Sequence, residues 1–326
     1  RRGHCRGGAV ALVPRGSRAF SFRNDRRMEL LGFQLPTYGW STILGSAISG
    51  VFLGAIYALV ALGLTLIYGV LHIINFAHGA LLMLAMYAVY FLWHLGGVDP
   101  YLAMLIVVPG GFVFGYCLQR GVIGKTSHGR DEIILLVTLG VAIVIENAAL
   151  FLFSADERNV QVPYDLDGID LGVTYVVWTD LAALAGSLLI TLALWLFMVR
   201  TDTGKAIRAV AKERQGARLV GINVDHIFAI SFGIGTACVA AAASLLAPTY
   251  AVYPQFGYLF VLIAFTVVVL GGMGSFVGAL VGGFVIGITE QLGRLYLGES
   301  LGLITISAIF ILILLFRPTG LFGQKA

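Results

Sequence analysis

Between Ser41 and Phe316 the sequence keeps returning to uncharged apolar runs, most close to 20 residues long, parted by short polar or glycine-bearing breaks. This recurrence restricts the fold more than any motif does. About 20 apolar residues, wound as a helix, match the ~30 Å hydrocarbon core of a bilayer. Inside lipid the backbone must satisfy its own amides, which leaves helices or closed barrels. The chain is therefore expected to be all-α, a polytopic membrane protein. Composition agrees: 59% of the residues are hydrophobic, 12% are charged and the mean hydropathy is +0.92, which excludes an ordinary soluble enzyme. The 42 glycines fit helices that pack closely where lipid removes the hydrophobic drive to associate.

The expected spans are 45–68, 79–94, 101–118, 133–153, 178–199, 227–247, 276–296 and about 301–316. A further apolar run at 258–270 is short for a crossing, so the count is 8–9 transmembrane helices, some short or broken. Apolar run, break and apolar run recur at 45–90 and again at 258–296, a weak internal echo of the kind that marks transport pathways.

Charge sets the orientation. Residues 119–132 carry Arg120, Lys125 and Arg130, and 200–226 carry six more Lys/Arg, so both belong to the cytoplasm. Residues 154–180 hold six acids against Arg158 alone and face outward. The net charge of +4 is misleading, because residues 1–27 contribute eight arginines and one acid, Asp25. That segment contains Leu-Val-Pro-Arg-Gly-Ser at 12–17, which resembles a thrombin-cleavable linker, and the first Met is Met28. It is read as a tag or a non-native leader, with a genuine basic arm or transit peptide as the alternative. Residues 28–326 are then a single membrane domain.

The longest charged stretch is 200–226, RTDTGKAIRAVAKERQGARLVGINVDH. Thr203 can cap a helix with Ala206, Ile207, Val210 and Ala211 on one face and charges opposite. Gly216 would break or bend that helix, and Gly221 can end it in a left-handed cap. Such a helix pair suits a docking surface; the plain alternative is a basic loop that only fixes orientation.

Chemistry-bearing motifs are scarce. Gly124-Lys125-Thr126 ends like a phosphate-binding loop, but Gln119 stands where glycine is required and no strand precedes it. No catalytic constellation, metal-ligand cluster, cofactor motif or nucleic-acid signature is present, so the chain is not read as an enzyme. If it uses ATP, another chain binds it. Cys117 and Cys238 fall inside spans and read as small packing residues.

The break Ile73-Ile-Asn-Phe-Ala-His-Gly79 sets Asn75 and His78 at a span junction, where they either line a water-filled cavity or simply cap and pack. Of the acids inside spans, Glu290 has Arg294 four residues on as an ion-pair partner. Glu146 has no local partner and is the better functional candidate, because a carboxylate in lipid must face protein, pair or stay protonated.

Four phrases then occur in order: GAIYALVALGLTLIYGVLHIINFAHGALLML (54–84), TGKAIRAVAKERQGARLVGINVDHI (203–227), VVVLGGMGSFVGALVGGFVIGITE (267–290) and FRPTGLFG (316–323). Together they resemble the LivH-type permease subunits of branched-chain amino acid ABC importers. The resemblance implies a multi-pass protein of a bacterial inner membrane, moving amino acids by ATP hydrolysis on separate subunits. It also implies as partners a second related permease, two ABC ATPase subunits and a periplasmic or extracellular solute-binding protein. Segment 200–226 becomes the cytoplasmic coupling helix: Arg208, Arg214 and Arg218 would contact the ATPase, and Gly204, Ala209, Ala217, Gly221 and Ile222 would shape the loop. The family's usual acid after NFAHG is here Ala80, so the chain lacks that acid or supplies it elsewhere; Glu146 stands where glutamine is common. The pathway is expected along Asn75, His78, Gly79, Glu146, Gly272 and Gly274, with both breaks on the cytoplasmic side as an inner gate. Import of urea or short amides is the alternative within the family. An ion-coupled transporter acting alone would show carboxylates in several spans.

Overall fold

The computed structural model describes residues 28–30, 33–35, 38–126, 131–164, 167–170, 172, 174–298, 301–317 and 320–322. Residues 1–27, Arg130 and Asp165 lie outside the described residues, and so do the readings placed on them. The chain divides into two units, 1–39 and 40–326. In the first, β1 (Met28–Leu30) and β2 (Phe33–Leu35) form an antiparallel hairpin with Met28 opposite Leu35.

The second unit is helical: α1 (Trp40–Leu71), α2 (His78–Gly96), α3 (Pro100–Leu118), α4 (Gly124–Thr126), α5 (Asp131–Phe153), α6 (Trp178–Arg200), α7 (Asp202–Lys212), α8 (Arg214–Leu219), α9 (Val224–Leu246), α10 (Phe256–Gly271), α11 (Phe276–Leu297) and α12 (Gly302–Phe316). Among the described residues seven helices are long and apolar enough to cross a membrane, counting α3 and α4 as one. The shorter apolar helices are α10 and α12, so of the eight or nine spans expected, some of them short or broken, seven are long enough to cross by length and composition. Residues 119–126, expected as loop, continue α3 through a π turn at Gln119–Ile123 into α4. Charge marked the membrane boundary there, but Arg and Lys stems are compatible with a helix that runs on past it.

The central helix is α1, buried over most of its length. It can be central because glycines replace side chains on the face it turns to α11, and the two helices run antiparallel. A Cβ at Gly50 would lie 2.5 Å from Ile288 Cα, one at Gly54 2.8 Å from Phe284 Cα, and one at Gly283 2.6 Å from Ala58 Cα. Helices meeting backbone to backbone gain dispersion contact that larger residues would hold apart. The same device joins α1 to α9, where a Cβ at Gly63 would meet Gly235 O at 2.6 Å. By contrast α3, α5 and α6 show most of their apolar residues outward, and Cys117 on α3 is exposed rather than packed; Cys238 is buried.

Contacts outside the helices sort to two ends. At one end lie the bridge between Arg158 and Val252 (2.8 and 2.9 Å), the Tyr164 hydroxyl donating to Asp99 (2.5 Å), and the hairpin of β3 (Gly168–Asp170) with β4 (Tyr175–Val177). At the other, Arg214 meets the last turn of α1, Tyr116 meets His226, and Leu321 meets Leu270.

Candidate functional site

Two helices begin in the middle of the bundle rather than at its ends. After Leu71 the chain turns back along α1, through His72 with φ +58°, so that α2 starts beside Val60. At 1.5 Å per residue, that is about 16 Å of helix above Leu71, half the ~30 Å thickness of a hydrocarbon core. Two fully buried polar residues fix the start. Asn75 Oδ1 accepts from Ala77 N–H (3.1 Å), and His78 Nε2 donates to Val60 O (2.9 Å). From the other side α10 starts at the same depth: a Cβ at Gly79 would stand 2.1 Å from Gly257 O, and one at Gly257 2.3 Å from Gly79 O. Only glycine at both positions lets the two N-terminal turns touch. The break at 75–79 thus lies at mid-bundle, not on the cytoplasmic side where alternation of full spans had put it.

Beside this junction lies a cavity of about 240 Å³ among α1, α2, α5 and α10. Its walls are apolar, with Leu64, Ile74, Phe76, Ala80, Ala142 and Phe265 among them, save for Glu146 and Tyr258. The Tyr258 hydroxyl is the hydrogen-bonding partner of the Glu146 carboxylate. Neither α2 nor α10 has a side-chain N-cap, so the positive ends of two helix dipoles adjoin a cavity whose wall holds one carboxylate.

Of the six residues expected along the pathway, Glu146 alone is in the cavity wall. Asn75, His78 and Gly79 build the junction behind it, while Ile74, Phe76 and Ala80 beside them face the space. Gly272 and Gly274 adopt φ +98° and +83°, values that side-chain-bearing residues rarely take. They form the turn between α10 and α11 and present Met273 to a small void shared with Leu64, Ile74 and Phe265. Those three also line the main cavity, so Met273 sits at its lower edge. Reading residue types alone favoured the polar members of the break; in this fold they are consumed by backbone work, and their apolar neighbours make the wall.

Glu290 is occupied elsewhere. Fully buried, it accepts from the Tyr57 hydroxyl (2.7 Å), a hydrogen bond that ties α11 to α1, and from Arg294 Nη2 (2.5 Å), its ion-pair partner one turn on along α11.

The loop at 200–226 holds two short helices. Thr201, not Thr203, caps α7, its hydroxyl accepting from Gly204 N–H (3.0 Å). The helix breaks at Glu213, which is extended (φ −156°) and caps α8, whereas Gly216 lies inside α8; Gly221 takes φ +87° at its end. Ile207, Val210 and Ala217 face the bundle. A Cβ at Gly204 would strike Met198 O at 2.4 Å, so glycine lets α7 fold back on α6. The arginines divide. Arg208 donates to Met198 O and Arg214 to Leu71 O (2.6 Å), each tying the loop to the end of a long helix; Arg214 also lies 5.2 Å from the Phe228 ring centre. Arg218 is exposed, with Asp225 at 4.0 Å. Ala209 is exposed and Ile222 half-buried, and the outermost part of the loop is apolar: Leu219 is 88% and Val220 76% exposed.

Long buried helices, two broken at mid-depth around a cavity, define a multi-pass membrane protein built to pass a solute. A family model described as branched-chain amino acid transport system / permease component matches residues 46–316, and the chain belongs to this family. It is 32% identical over 296 residues to the high-affinity branched-chain amino acid transport system permease protein BraD of Pseudomonas aeruginosa, covering 86% of this chain and 96% of that protein. It is 32% identical over 300 residues to the permease protein LivH of Escherichia coli K12 (85% and 94%). To LivM of the same organism it is 23% identical over 291 residues (82% and 67%). No solved structure matches.

Proposed function

We propose that this chain is the permease subunit of an ABC importer that carries branched-chain amino acids across a bacterial inner membrane. The observation that carries the reading is the mid-bundle cavity, apolar except for Glu146 and Tyr258 and bordered by two helix N-termini. An amino acid presents an ammonium, a carboxylate and here an apolar branch. A carboxylate, positive helix ends and an aliphatic wall answer those three parts. Urea and short amides would favour several amide or hydroxyl groups, which this wall lacks among the described residues.

In this reading α10 and α12 also cross, giving nine crossings with α3, α6 and the end of the chain directed to the cytoplasm. The two-ended sorting of loop contacts supports that alternation. Met273 and the 272–274 turn form the inner gate. The α7–α8 loop docks in a groove of the ATPase subunit, with Leu219 and Val220 as apolar anchors and Arg218 at the rim. Arg214 and Arg208 face inward and transmit movement of the loop to α1 and α6. A second permease completes the pore, and an external binding protein delivers the solute. ATP closure of the ATPase pair then shifts which side the cavity faces.

The test is reconstitution of the chain with its second permease and ATPase in liposomes. Uptake of labelled leucine, isoleucine or valine is expected to need ATP and the loaded binding protein. Ala142→Trp, which fills the cavity, should abolish uptake and leave the complex assembled. Uptake of urea in place of leucine would overturn the assignment of solute.

A further inference from the structure

We infer that Glu146 holds the α-ammonium group of the solute, which makes this side chain the filter that admits amino acids and rejects neutral amides. The inference rests on reading the cavity as the pathway. Three observations carry it. First, Glu146 is the sole Asp, Glu, Lys, Arg or His in the described cavity wall, so a cationic group entering there has one carboxylate available as counter-ion. Second, the carboxylate is not used up by the fold. Glu290 is buried and doubly engaged by Tyr57 and Arg294, whereas Glu146 is half-exposed, has no Lys or Arg within ion-pairing distance among the described residues, and meets only the Tyr258 hydroxyl. A carboxylate has about four lone-pair sites, so one hydroxyl leaves room for an ammonium donor. Third, the other walls are fixed for a different part of the solute: Leu64, Phe76, Ala142 and Phe265 offer no polar atom to an amine.

Ala80 supplies the means of testing this, because it lines the same cavity from α2, across from α5. A carboxylate placed there would face the same bound solute without sitting on α5 or touching the role Glu146 has toward Tyr258. In the reconstituted complex, Glu146→Gln keeps the side chain's size and its ability to accept from Tyr258 but removes the charge. Leucine uptake is expected to fall about 10-fold or more, the loss of a hydrogen bond to a charged group, while ATP hydrolysis stimulated by loaded binding protein persists. Adding Ala80→Glu to Glu146→Gln should restore most of the lost uptake. Undiminished uptake in Glu146→Gln would overturn the inference. So would a loss that Ala80→Glu leaves unrepaired, which would show that a carboxylate facing the cavity is not by itself what the solute needs. Ala142→Trp separates the two readings. If it blocks uptake while Glu146→Gln does not, the cavity is the pathway and only the ammonium assignment falls; if neither affects uptake, both fall.

Discussion

Two arginines show how much a single side chain can be asked to hold. Arg294 neutralises Glu290, which is 1% exposed, and a carboxylate so placed is costly once its partner is gone. Arg294→Ala is expected to destabilise the chain by about 3 kcal/mol or more, read as a lower unfolding midpoint in detergent. Arg294→Ala with Glu290→Met should recover much of that loss, because the cost lies in the orphaned charge rather than in the absent pair. Arg214 is a different case. Its guanidinium caps the carbonyl of Leu71 and lies over Phe228, joining the α7–α8 loop to the end of α1. Arg214→Ala should therefore leave the ATPase bound and hydrolysing while uptake drops, so that more ATP is spent per leucine moved; a parallel fall in both rates would contradict the inward role. Arg218→Glu or Leu219→Asp, at the exposed surface, should instead weaken association itself, as a pull-down with the ATPase would report.

At the scale of elements, glycine decides which helices touch. Gly283→Leu would drive a side chain into Ala58 on α1, and the expected result is loss of folded protein rather than of transport alone, measured as aggregation on gel filtration. The outlines of these helices were readable from the sequence because length and apolarity are strong, local signals. The α7–α8 pair was readable as well, since its apolar and charged faces alternate at helical spacing. The start of α2 at mid-depth was not. Nothing in IINFAHG says that the chain doubles back along α1; that depends on Gly79 meeting Gly257, residues 178 apart in sequence. Glu146 stood out as an acid without a local partner, and the cavity is where the structure sets it. Asn75 and His78 stood out for their polarity, yet the backbone of the junction takes both, and the wall beside them is made by residues with no chemical signature.

At the scale of the whole molecule, the segment after α12 belongs to α10. Leu321 and Phe322 donate their amides to Leu270 O (2.7 Å) and Gly271 O (3.1 Å), the last carbonyls of α10, which its own helix cannot satisfy. Gly320, at φ +77°, fits because a Cβ there would collide with Gly272 N and Val269 O at 2.5 Å. Gly320→Val is accordingly expected to unseat this strap and make Met273→Cys react faster with a polar thiol reagent; an unchanged rate would show that the 272–274 turn stands without it. The arrangement also has a history in time. A ribosome delivers α10 and its glycine turn first and residues 320–322 only after α11 and α12 have followed. The end of α10, next to the turn that carries Met273, is thus latched by late-arriving chain, and a permease whose last two helices have failed to enter the membrane is left with that end unlatched.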